Sequence, residues 1–152
     1  MGDSNTKDKV LWYDEAVALQ QDGELAKAIR EIKALLEVYP DYGLAWLALA
    51  VFSLEKGDEE TTLDAMQKAC EIEQDDPFYF TAFSSLAIKC GNHERAEDAF
   101  MKAQELRFAS QLKKMNELRK KELAEREKNA ENSDISENES EKDAKTQDEE
   151  QN

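Results

Sequence analysis

The chain has 152 residues, with 20 Lys+Arg against 35 Asp+Glu and a formal net charge of −15. That length fits one ordinary domain. The acidity argues against nucleic acid or an anionic membrane as the main ligand, because both repel a negative surface.

The charge is uneven: −11 over residues 1–109, +3 over 110–130 and −7 over 131–152. Every aromatic residue lies between Trp12 and Phe108. A core-bearing segment, a charged segment and an acidic tail are therefore expected.

Residues 1–8 read as a disordered N-terminus. Met1-Gly2 with Thr6 matches the outline of a myristoylation signal. With acidic Asp3 beside it, the match reads as coincidence. The first residues carry no apolar stretch of the secretory kind. The longest uncharged stretch, Tyr42 to Leu54, falls short of the ~18 residues of a membrane span. Cys70 and Cys90 read as reduced thiols, and the chain as cytoplasmic, since two cysteines make no disulfide framework.

Three of the five glycines, Gly23, Gly57 and Gly91, are spaced 34 and 34 apart. Trp12, Trp46 and Phe80 keep that spacing, as do Ala16, Ala50 and Ser84. So do Ile32, Met66 and Phe100, then Leu35, Ala69 and Ala103, and Val38, Ile72 and Leu106. A period of this length signals a solenoid of stacked units.

In chain order, each unit reads as two helices. In unit one the break at Gly23-Glu24 precedes a stripe of Ala28, Ile29, Ile32, Leu35 and Leu36. In unit two, Leu44 to Phe52 is rich in helix formers. Lys56-Gly57-Asp58 then supplies a left-handed C-cap and a new N-cap. Glu59 and Glu60 follow in the first turn, facing the positive end of the helix dipole. The helix from about Glu59 to Glu73 carries Leu63, Met66, Ala69 and Ile72 on one stripe. Unit three repeats the design with Gly91-Asn92, then Ala96, Ala99, Phe100, Ala103 and Leu106. Pro40 and Pro77 sit where one unit gives way to the next.

These columns resemble the tetratricopeptide repeat family, on units 9–42, 43–76 and 77–110. The quoted positions are Trp12, Ala16, Gly23, Ala28, Ile32 and Pro40 in unit one. Unit two shows Trp46, Leu49, Ala50, Gly57, Met66 and Ala69. Unit three shows Phe80, Phe83, Ser84, Gly91, Ala96, Phe100 and Ala103. Departures are Glu15, Leu35, Thr62, and Gln74 and Phe108 in place of the terminal proline. The resemblance implies an all-α solenoid of three helical hairpins, six helices in all. Stacking is what lets each hairpin bury its apolar face.

Beyond the units, 111–129 reads as a C-terminal capping and charged helix. Phe108, Leu112 and Met115, with Leu118 beside them, are expected to cover the open end of the stack. Residues 130–152 hold one large aliphatic, Ile135, and read as a disordered acidic tail.

No His-Glu-x-x-His, Cys-x-x-Cys or phosphate-binding glycine loop is present, so no enzyme, cofactor or metal is expected. His93, the only histidine, falls at a turn and reads as a solvated polar residue. The resemblance implies instead a ligand groove lined by the first helix of each hairpin. Its facing positions are Val10, Tyr13, Val17 and Gln20 in unit one. Unit two supplies Leu44, Leu47, Val51 and Leu54, and unit three Phe78, Thr81, Ser85 and Ile88.

The unit-two set is wholly apolar and lies in the one uncharged stretch, and an apolar patch of this kind marks a partner site. The expected ligand is a protein or peptide with apolar anchors, with a second copy of the chain as another candidate. Family members that clamp an acidic chaperone C-terminus use Lys and Asn at positions held here by Tyr13, Val17, Ala48, Phe78 and Ala82, none of which can hold a carboxylate. The run Asp75-Asp76-Pro77-Phe78-Tyr79-Phe80, with Gly91 and Ala103 to Leu106, is similar to the third repeat of type III secretion translocator chaperones. A chaperone of a secreted or membrane-active client is thus the alternative function.

Overall fold

The structure, a computed structural model, describes residues 6–149. Its helices are α1 (Lys9–Gln21), α2 (Leu25–Val38), α3 (Gly43–Lys56), α4 (Glu59–Ile72), α5 (Pro77–Lys89) and α6 (His93–Glu149). No strand occurs among the described residues.

The turns fall where the period places them. Gly57 C-caps α3 at φ 87°, in the left-handed region that costs a side-chain-bearing residue most. Gly23 and Gly91 keep the same sign of φ. Asp58 caps α4 by accepting from the Thr61 amide, and Glu59 and Glu60 occupy the first turn. Asp76 caps α5 by accepting from the Phe78 amide, with Pro77 at the first turn where its missing N–H costs nothing.

Two units make up the chain, one ending at Arg107 and the other beginning at Phe108. In the first, α1 packs on α2 and α3 on α4, while α2 on α3 and α4 on α5 join successive hairpins. The core runs between them through Ala28, Ile32, Leu35, Leu49, Met66 and Phe83. Small residues at the crossings let the backbones approach: Ala16, Ala45, Ala50 and Ala69 are wholly buried. Thr62 replaces one such alanine. Its buried hydroxyl donates toward the Asp58 carbonyl at 2.8 Å and lies 3.2 Å from that of Ala50.

At the chain ends the described residues differ in part from the sequence reading. Residues 1–5, with the Met1-Gly2 motif, lie outside the described residues. Lys7 and Asp8 are held rather than free. Lys7 pairs with Glu15 and its carbonyl accepts from the Tyr39 hydroxyl at 3.2 Å, while Asp8 caps α1. The capping helix is not a separate element. With Phe108 where the repeat's terminal proline would stand, α6 meets neither Gly nor Pro from His93 to Glu149 and runs on as one helix.

Phe108, Leu112, Met115 and Leu118, expected to be covered, are all exposed. The residues from 130 that read as disordered are helical through Glu149. Ser133, Ser136 and Ser140 bond to carbonyls three residues back, and none of residues 130–144 is buried.

Candidate functional site

The twelve residues expected to line the groove all fall on α1, α3 and α5, and α3 touches both of the others. None is buried, although nine are apolar. Val10, Val51, Phe78 and Ile88 are exposed among them. Two helix turns of α3 show the division clearly. Leu47 stays half-buried on this face, while Ala48, Leu49 and Ala50 beside it are in the core. Trp46 turns its indole N–H to the Pro40 carbonyl at 2.8 Å, away from the shared face.

The polar members are partly committed. Gln20 donates to Glu55 Oε2 at 2.9 Å and ties α1 to α3. Thr81 donates to the Pro77 carbonyl at 2.8 Å and accepts from Arg107 Nη2 at 3.0 Å, which links α5 to α6.

Tyr42 borders this face although the repeat pattern does not mark it, and Tyr79 is buried next to Phe78. Tyr42, which precedes α3, lies 6.0 Å from Tyr13 between ring centroids, the planes tilted by 58°. Tyr79 makes an edge contact with Phe78 at 5.3 Å. Burial raises the Tyr79 phenol, followed by the charges of Glu73 and Asp76 and the nearby Tyr13 and Tyr42. Burial likewise raises Tyr42, with Asp14 and Asp8 adding to it, and Tyr13, with Tyr42 and Asp14 adding. Tyr13 and Tyr42 thus meet across two segments, with Asp14 acting on both phenols. Lys9 Nζ sits 5.0 Å over the Tyr42 ring, so a cation is accepted there. Sequence spacing gives no hint of this contact, because Tyr13 and Tyr42 are not in one column of the period.

Other depressions lie off this face. One of about 700 Å³ at the turn into α6 is lined by Glu59, Glu60, Asp64, Cys90 and His93 among others. Among the described residues no group of three His, Cys, Asp or Glu is placed to hold a metal ion. Cys70 is buried and its thiol is pushed up to about 12 by burial, with Glu71 adding to it. Burial, then Glu59, raises Cys90. Both thiols are free. Among the described residues no helix is long and apolar enough to cross a membrane.

Stacked helical hairpins with an unburied apolar face on their first helices define a repeat protein of the interaction class. The chain belongs to the tetratricopeptide repeat family: models of that repeat match residues 9–52 and 79–110. The comparison with curated proteins gives no match.

Among solved structures, MamA from Desulfovibrio magneticus is similar at 19% identity and a TM-score of 0.61, covering 68% of this chain and 58% of that one. The type III secretion translocator chaperone SycD of Yersinia enterocolitica is similar at 17% identity and 0.60, covering 69% and 80%. The second repeat domain of Spaghetti, bound to an HSP90 peptide, is similar at 14% and 0.58, covering 66% and 93%. This chain spans less than two thirds of the MamA chains it matches. At these identities the likeness is one of fold.

Proposed function

We propose that this chain is a non-enzymatic adaptor that takes an apolar peptide or helix of a partner protein along α1, α3 and α5. One observation carries the reading: nine apolar side chains on three adjacent helices, four of them packed against the core, keep part of their surface exposed in a chain as polar as this one. Leu44, Leu47, Val51 and Leu54 form its centre, with Val10, Tyr13 and Phe78 to either side.

Full burial of a leucine is worth roughly 1.5–3 kcal/mol, and these are already half covered, so three or four of them supply several kcal/mol at most. That suits a partner recognised by a few anchors. The carboxylates around the tyrosines favour a partner with cations and disfavour an acidic peptide. At the positions where the family resemblance implies a carboxylate clamp stand Tyr13, Val17, Ala48, Phe78 and Ala82, which argues against an acidic C-terminal peptide. The two free thiols support a cytoplasmic setting.

Leu47→Glu with Val51→Lys should leave the helical circular-dichroism spectrum unchanged and abolish recovery of the partner in an affinity purification. Unchanged recovery would sink the reading. A second reading, chaperone of one secreted or membrane-active client, is favoured by the likeness to SycD over 80% of that chain. Co-expression would then raise the client's soluble yield, and the same double substitution would remove the gain.

A further inference from the structure

Residues 108–121 carry an exposed apolar stripe. Phe108, Leu112, Met115 and Leu118 follow at steps of four, three and three, and all are exposed. The same stretch holds Lys113, Lys114, Arg119, Lys120 and Lys121 against Glu117 alone, inside a chain that is otherwise strongly acidic. The α1–α3–α5 face has the opposite character: an apolar stripe with Asp8 capping α1, exposed Asp14 on α1, Asp76 capping α5 and the Glu73 side chain beside Gly43 of α3.

The two stripes also agree in length. Leu44 to Leu54 and Phe108 to Leu118 each advance ten residues, or about 15 Å along a helix.

We propose that the basic amphipathic stretch 108–121 of one copy lies on the α1–α3–α5 face of a second copy. This rests on the reading of that face as a peptide- or helix-binding surface. The apolar side chains of the two stripes pack against each other, and the cations meet the carboxylates. Lys9 over the Tyr42 ring is the chain's own example of a cation accepted at that end. Direct pairing of the stretch with its own copy is the poorer arrangement. It sets five cations against five, and the stripe ends before Arg119, short of the three or four heptads a coiled coil needs. Two copies that exchange stretches reciprocally make the same contact twice about a two-fold axis and close into a dimer.

The test uses the full chain and two variants: Leu47→Glu/Val51→Lys on the face, and Leu112→Glu/Met115→Glu on the stretch. The stretch residues are exposed, so the second variant keeps the fold. Sedimentation velocity over a wide concentration range should show the wild type associating and each variant weakened at least about thirtyfold. Raising salt from about 0.05 to about 0.5 M should weaken the wild type several-fold.

Mixing the two variants should restore a one-to-one complex, since one retains the face and the other the stretch. A wild type that stays monomeric throughout overturns the proposal, as does a mixture that fails to associate. The stretch variant keeps the face and must still capture the partner protein. Capture by a strictly monomeric chain therefore ends this inference and leaves the adaptor reading standing. A face variant that captures and self-associates like wild type ends both.

Discussion

Replacing Met66 and Phe100 by alanine compares one position of the 34-residue period in two settings. Met66 is 0% exposed, between hairpins on either side, whereas Phe100 is 51% exposed on the last hairpin. Deleting a buried methionine side chain costs about 2–5 kcal/mol, since lost transfer energy adds to the cavity left behind. Full burial of a phenylalanine is worth about 1.5–3 kcal/mol. With half its surface still in water, Phe100→Ala should cost about 1 kcal/mol and leave no enclosed cavity.

Urea unfolding, followed by tryptophan fluorescence at monomeric concentration, reads the difference as a large drop in midpoint for Met66→Ala and a small one for Phe100→Ala. The slopes should stay unchanged. Fluorescence is preferred because Trp12 and Trp46 lie in the stacked unit, while α6 dominates the circular dichroism. Ile32, also 0% exposed in the same column, should behave like Met66. A Phe100→Ala variant as unstable as Met66→Ala would refute the reasoning, because something would then have to cover Phe100 as a fourth hairpin would.

Gly57→Ala should cost about 1–2 kcal/mol through the left-handed backbone alone, since an added Cβ meets nothing within 4 Å; the same urea assay measures it. Thr62→Val should cost about 1 kcal/mol, because the buried hydroxyl loses its bond to the Asp58 carbonyl while the volume is kept. The Cys70 thiol stays protonated to about pH 12 in the fold but ionises near 9.0 once exposed. Its share of stability is therefore complete below pH 9.0 and is lost as pH climbs toward 12; Cys70→Ala should flatten that part of the alkaline stability curve. In the monomer, hydrogen exchange should protect α6 amides near buried Ala96, Ala99 and Ala103 and leave those of 112–144, where no residue is buried, exchanging fast.

The hairpins were legible in the sequence because turn chemistry and period agree. Gly57 with Asp58 marks the α3–α4 turn, and Asp76 with Pro77 the start of α5. The end of the stack was not. A column of the period names a residue type and says nothing of whether a neighbour follows. Phe100 therefore reads like Ile32 and Met66 yet stays half exposed. The apolar spacing of Phe108, Leu112 and Met115 reads as a cap for the same reason, because burial and exposure look alike in a list of letters. The Tyr13–Tyr42 contact escaped because the two residues hold no common position in the repeat and meet only once α1 and α3 are stacked.

That ambiguity bears on how the face works. Leu47 and Leu49, two residues apart in one uncharged run, differ in that Leu49 is in the core and Leu47 is not. Folding consumes Leu49, while Leu47, packed against the core, keeps surface that the proposed ligand would cover. Under the proposed exchange the occupant is supplied by the chain itself, so partner and second copy compete for one surface. Mass action then sets the outcome. Raising the chain's own concentration fills the face with stretch 108–121 and lowers the fraction open to a partner of fixed affinity. A partner that captures the wild type must displace that stretch, and the Leu112→Glu/Met115→Glu chain should bind it more tightly than wild type by the factor the displacement costs.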